Sequence, residues 1–201
     1  MTSAKIGITF KELMSGGFAL GETDPKAGAA KGQDTVLAMH GTITIDDVDA
    51  FINDPNHAGV LDVVMDWPPF GTGLSAPKGV FNLFSPSGDP KLKLMVYEWG
   101  LEHDGKAYYF AGHKNVQVHP LIDVWKDTTT LYTQLHEGTD KNGPVVGAGI
   151  ISLSLQELIK MGGNFKALNA PSAEAGAAAV AKFGKFFMGE LWDTYILRGK
   201  S

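Results

Sequence analysis

Apolar residues recur at every second position along most of this chain, a rhythm that belongs to half-buried strands and not to helices. Ile6, Ile8 and Phe10 share one face of a first strand; Leu37, Met39, Ile43 and Ile45 share one face of a second, punctuated by Gly41. Leu61, Val63, Met65 and Trp67 alternate with Val60, Asp62, Val64 and Asp66 until Pro68-Pro69 stops the run. Phe81 and Leu83 mark a short strand, and Leu92 to Leu101 is apolar on both faces. Glu102-His103-Asp104-Gly105 then leads into Lys106 to Gly112, and Asp-Gly between apolar runs predicts a hairpin. Further strands are expected at about 114–119, 129–136 and 146–153.

Twenty-five glycines and ten prolines in 201 residues cut the chain into short segments, which suits strands joined by turns. The expected fold is therefore mainly β: one domain over 1–201, an antiparallel β-sandwich or β-barrel with two short helices and a longer C-terminal helix. Ser154-Leu-Gln-Glu157 is a capping box for a helix over about 155–161, ended by Gly162-Gly163. Asp46 and Asp49 predict another over about 47–53. After Pro171-Ser172, the residues Ala173, Ala177, Val180, Phe183, Phe187 and Leu191 fall at helical spacing, reaching Trp192 and Tyr195. Segment 22–35 has no apolar periodicity and is expected to be a mobile loop. Segments 41–52 and 149–160, offset by 149 − 41 = 108 residues, both read as a strand, a cap and a short helix. That similarity suits an internal duplication with halves of about 1–100 and 101–201, and equally the commonness of capped helices after strands.

Seventeen Lys plus Arg against twenty-two Asp plus Glu leave a net charge of −5, which argues against nucleic acid as a partner. The lack of cysteine removes disulfides, thiolate metal sites and cysteine nucleophiles together, and suits a reducing compartment. The N-terminus alternates instead of forming a signal-peptide core, and no stretch approaches the roughly 18 apolar residues of a membrane span. A cytoplasmic chain without an integral membrane segment is expected. Gly71-Thr-Gly73-Leu-Ser-Ala76 has the letters of a dinucleotide fingerprint, but Pro68-Pro69 and Pro77 deny it the helix that would face a pyrophosphate. The histidines lack the three- or four-residue spacing of a helical metal site. Neither a cofactor nor a metal is expected.

The richest polar stretch runs from Asp123 to Gly138. On a strand from Thr129, one face carries Leu131, Thr133 and Leu135, and the other Thr130, Tyr132, Gln134 and His136. The second face suits a polar pocket in which Asp127 or His136 transfers a proton while Tyr132 or His113 stabilises an oxyanion. It suits equally the wet face of an antiparallel sheet. The last helix has more large apolar groups than a narrow stripe needs, so it covers a sheet face or barrel mouth, or meets a partner. For a hydrophobic ligand, the candidate residues are Trp99, Tyr109, Trp125, Phe183, Phe187 and Trp192.

Three strings carry a family resemblance: Gly79-Val-Phe-Asn-Leu-Phe84; Asp123-Val-Trp-Lys-Asp-Thr-Thr-Thr-Leu-Tyr132 with Leu135-His-Glu-Gly138; and Phe183-Gly-Lys-Phe-Phe-Met-Gly-Glu-Leu-Trp-Asp-Thr-Tyr195. From Phe10 to Tyr195 the chain resembles the accessory, non-flavin region of some bacterial cholesterol-oxidase-like proteins of the glucose-methanol-choline oxidoreductase family. The resemblance implies a free-standing relative of an appended module, concerned with lipid or sterol-like substrates. It carries neither the flavin chemistry nor any catalytic residue. The leading expectation is a non-catalytic module binding a hydrophobic small molecule or a partner oxidoreductase. The alternatives are a cofactor-independent isomerase, cyclase or hydrolase, and a structural homo-oligomer joined through the C-terminal helix.

Overall fold

The computed structural model describes residues 5–117, 128–154, 156–157 and 163–192. Among the described residues nine strands form in chain order: β1 (Gly7–Leu20), β2 (Val36–Ile45), β3 (Ala58–Trp67), β4 (Gly71–Pro86), β5 (Leu92–His103), β6 (Lys106–Gln117), β7 (Thr130–Glu137), β8 (Val145–Leu153) and β9 (Lys166–Leu168). Helices among them include α1 (Pro25–Lys31), α2 (Val48–Asn53) and α3 (Ala173–Trp192). Each of the first seven strands pairs antiparallel with the next, and β1 pairs with both β2 and β8, which closes an eight-stranded up-and-down barrel. Closure leaves no long free edge, the usual liability of an antiparallel sheet. β9 adds beside the first residues of β1, Gly7 to Thr9.

The alternation read from sequence becomes the inside and outside of this barrel. Leu61, Val63, Met65 and Trp67 on β3 are buried, as are Leu37, Met39, Ile43 and Ile45 on β2. The expected hairpin is β5–β6, in register from Leu92↔Gln117 to His103↔Lys106. Its two turn residues, Asp104 (φ 50°) and Gly105 (φ 73°), both take the left-handed conformation that matches a tight turn to the twist of its strands. The dinucleotide-like string is an extended part of β4.

The two ends of the barrel are filled differently. At one end Phe18, Trp67, Trp99 and Phe110 form an aromatic layer, with Trp99 and Phe110 stacked at 4.9 Å. At the other end α3 lies across the mouth. Phe183 meets Phe10, Phe51 and Phe165, Phe186 meets His57, and Phe187 meets Phe84. Two ion pairs tie this helix down, Lys182 with Asp49 of α2 and Lys93 of β5 with Glu190. Among the described residues no helix is long and apolar enough to cross a membrane.

Segment 22–35 differs from expectation: it holds α1 and a following 3-10 turn, not a loop. Asp24 caps α1 by accepting from the Ala27 N–H, Pro25 pre-sets the first turn, and the buried face is glycine. A Cβ on Gly28 would lie 2.0 Å from the Ala148 carbonyl oxygen, so α1 lies on β8 without the bulky residues that periodicity detects. The cap of α2 is Asp47, not Asp46, accepting from the Asp49 and Ala50 N–H groups. β1 and β4 run longer than expected, β6 is continuous through His113, and β9 carries no sequence signal of its own. Of the helix expected over 155–161, residues 156–157 are helical, with the Ser154 hydroxyl accepting from the Glu157 N–H; the rest lies outside the described residues.

Candidate functional site

Most inward positions of the barrel carry apolar groups, as the strand period requires. Among the described residues, three ionisable side chains break that rule. Glu12 follows Ile8 and Phe10 on the inner face of β1, Tyr97 lies between Met95 and Trp99 on β5, and Lys114 follows Phe110 and Gly112 on β6. All three are buried: Lys114 is 2% exposed and Glu12 8%. The Tyr97 hydroxyl donates to the Glu12 carboxylate, 3.1 Å to the nearer oxygen. Lys114 Nζ donates to the Tyr97 oxygen at 3.2 Å, stands 4.0 Å from Glu12 Oε2 and lies 4.6 Å from the centre of the Tyr97 ring. Tyr97 thus links the cation to the carboxylate.

Burial dominates the protonation of this cluster. It pushes the Tyr97 phenol well above its ordinary value, and the neighbouring Glu12 adds to the effect, so Tyr97 keeps its proton and can donate it. Desolvation lowers the Lys114 ammonium, opposed by the attraction of Glu12. Gly112 pairs with Tyr97 on one side and Thr133 on the other, so the three stand level on adjacent strands. Thr133 Oγ1 at this level, and Trp99 Nε1 in the aromatic layer beyond it, are buried with no hydrogen-bond partner among the described residues.

The cluster lies between the two end layers. Towards α3, Tyr97 meets Phe81 edge-on at 5.2 Å, Phe81 meets Phe10, and Phe10 meets Phe183 of the helix. Beyond Tyr97 on β5 comes Trp99 and the aromatic layer. A run of phenylalanine rings therefore connects the underside of α3 to the polar cluster.

The candidates read from sequence fall in several places. Trp99 belongs to the interior layer, and Phe183 and Phe187 line the seat of α3. Tyr109 points outward, where its hydroxyl donates to Glu98 at 2.7 Å and Lys141 donates to the other Glu98 oxygen at 2.8 Å. Partial burial and the Glu98 bond push the Tyr109 phenol up. Trp125, Asp127 and the side chain of Trp192 lie outside the described residues. His113 and Tyr132 are cross-strand neighbours on the outside, ring centres 6.2 Å apart, and desolvation lowers the His113 imidazole. His136 lies four residues farther along β7, about 13 Å by strand rise, with Nδ1 2.8 Å from the Gly143 carbonyl. Among the described residues, His113 and Tyr132 come together and His136 stands apart. Glu12, Tyr97 and Lys114 were not singled out from sequence, although Glu12 extends the Ile8 and Phe10 parity, a legible signal of a charge facing inward.

No family model, curated protein or solved structure matches this chain, so function is argued from the barrel itself.

Proposed function

We propose that this barrel is a non-catalytic module that holds one hydrophobic small molecule, lipid- or sterol-like, beneath α3 and above the Glu12–Tyr97–Lys114 cluster. The observation that carries the reading is that cluster, set inside an otherwise apolar barrel, with Thr133 Oγ1 at the same level without a partner among the described residues. An eight-stranded barrel is just wide enough for side chains to fill or for one small ligand to occupy. The rings of Phe10, Phe81 and Phe183 offer an apolar wall. Lys114 and Glu12 carry opposite charges within 4.0 Å, so their fields largely cancel at a distance. A neutral polar head, a hydroxyl or carbonyl, suits such a site better than a charged one, because it brings no uncompensated ion into a dry interior.

Native mass spectrometry of the purified chain, before and after organic extraction and then with added dodecanol or cholesterol, tests the reading. One bound molecule per chain, saturating with added ligand, is the expected result. A bare mass throughout, with no saturable complex, contradicts it.

A further inference from the structure

We propose that Lys114 captures aldehydes or ketones covalently, as an imine, with Tyr97 and Glu12 moving the protons. The proposal rests on the ligand-binding reading above and names the class of ligand: a hydrophobic molecule with a carbonyl at its polar end. An amine becomes a nucleophile when it sheds its proton, and burial in an apolar pocket is how proteins bring a lysine to that state. Lys114 Nζ has such a setting, enclosed by the barrel and lying over the Tyr97 ring, whose edge meets Phe81. Desolvation works in the same direction on its proton affinity.

The hydrogen-bond order supplies a relay. Lys114 Nζ donates to the Tyr97 oxygen, and Tyr97 donates onward to Glu12. A proton leaving Lys114 can therefore pass to Tyr97 while the phenolic proton passes to the Glu12 carboxylate. The freed lone pair attacks the carbonyl carbon; a C–N bond forms, the carbonyl π pair moves to oxygen, and a proton passes from the added nitrogen to that oxygen to give a carbinolamine. The proton held at Glu12 returns through Tyr97 to the hydroxyl, which leaves as water while nitrogen forms the C=N bond and gives its remaining proton back through Tyr97 to the emptied Glu12 carboxylate. The sum is amine plus carbonyl giving imine plus water, with nothing oxidised or reduced. Hydrolysis reverses it, so the module can release its cargo unchanged.

A buried lysine and glutamate also satisfy each other as a purely structural pair, and the experiment separates the two cases. The full chain is incubated with dodecanal, reduced with cyanoborohydride, and its modified lysines are located by peptide mapping. The expected result is one dodecyl adduct on Lys114, suppressed by excess dodecanol, absent in Lys114→Met and formed about a hundredfold more slowly in Glu12→Gln. Adducts scattered over surface lysines with Lys114 unmodified overturn the proposal, and mapping of the unaltered chain gives that answer whether or not the variants fold. Native mass spectra with dodecanol, taken in parallel, distinguish the failures. A dodecanol complex with no Lys114 adduct removes the imine and keeps the binding module; neither complex nor adduct removes both.

Discussion

Lys114 and Glu12 each leave water to enter the barrel, and a pair of ions desolvated in this way returns little net stability even when well matched. Losing one partner is far more costly than losing both. Glu12→Leu, which strands the Lys114 cation, is expected to destabilise the fold by about 3–5 kcal/mol. Adding Lys114→Met to it should restore most of the loss, as urea denaturation of the two variants would show. The same cluster sets a pH dependence. Because native Tyr97 holds its proton well above the ordinary 10.0, the unfolded chain loses that proton first, and stability falls as pH rises past that point. Lys114 has the opposite sign: its native proton affinity is lowered from 10.5, so stability climbs with pH as that value is approached from below. Tyr97→Phe should flatten the alkaline decline, and Lys114→Met the rise before it, in denaturation series across pH. At this scale the sequence was partly legible. The parity of Glu12 was there to be read, but the meeting of β1 with β5 and β6 side chains across the barrel depends on closure, which no local pattern encodes.

Among the elements, α3 is the one whose seat decides access to the interior. Phe183 is 4% exposed and meets rings from β1, α2 and the segment before β9, whereas Met188 is 63% exposed. Phe183→Ala is expected to cost about 3–5 kcal/mol and to speed ligand uptake, read by thermal unfolding and stopped-flow fluorescence. Met188→Ala should change stability by no more than about 0.5 kcal/mol. Removing the exposed Lys182–Asp49 pair should likewise matter little, since such pairs contribute about 0–1 kcal/mol. The β5–β6 turn gives a sharper test of local chemistry. Gly105→Ala places a Cβ at φ 73° and is expected to cost about 1–2 kcal/mol, seen as a lower unfolding temperature. The hairpin and α3 were both readable in advance, because Asp104-Gly105 and the Phe183 and Phe187 spacing act locally. α1 was not, because its buried contact is made by Gly28 and by backbone, which leave no apolar stripe.

For the whole molecule, the decisive event is the pairing of β1 with β8, residues more than a hundred positions apart in sequence, such as Phe18 with Gly149. Alternation locates both strands but fixes no partner for either, so it suits a sandwich and a barrel equally, and only the closing pair decides between them. Segments from both halves of the chain enter this one sheet, β2 and β8 flanking β1 from either side. Closure also gives the interior its two unlike ends, an aromatic layer and a helical cover, with the polar cluster between them. The most direct test of a ligand chamber is an isotope-filtered nuclear Overhauser experiment on methyl-labelled methionines with unlabelled dodecanol. Met95, buried and paired with Lys114, should show contacts to the bound chain, while exposed Met188 should not. Contacts confined to Met188, or none at all, would contradict the account.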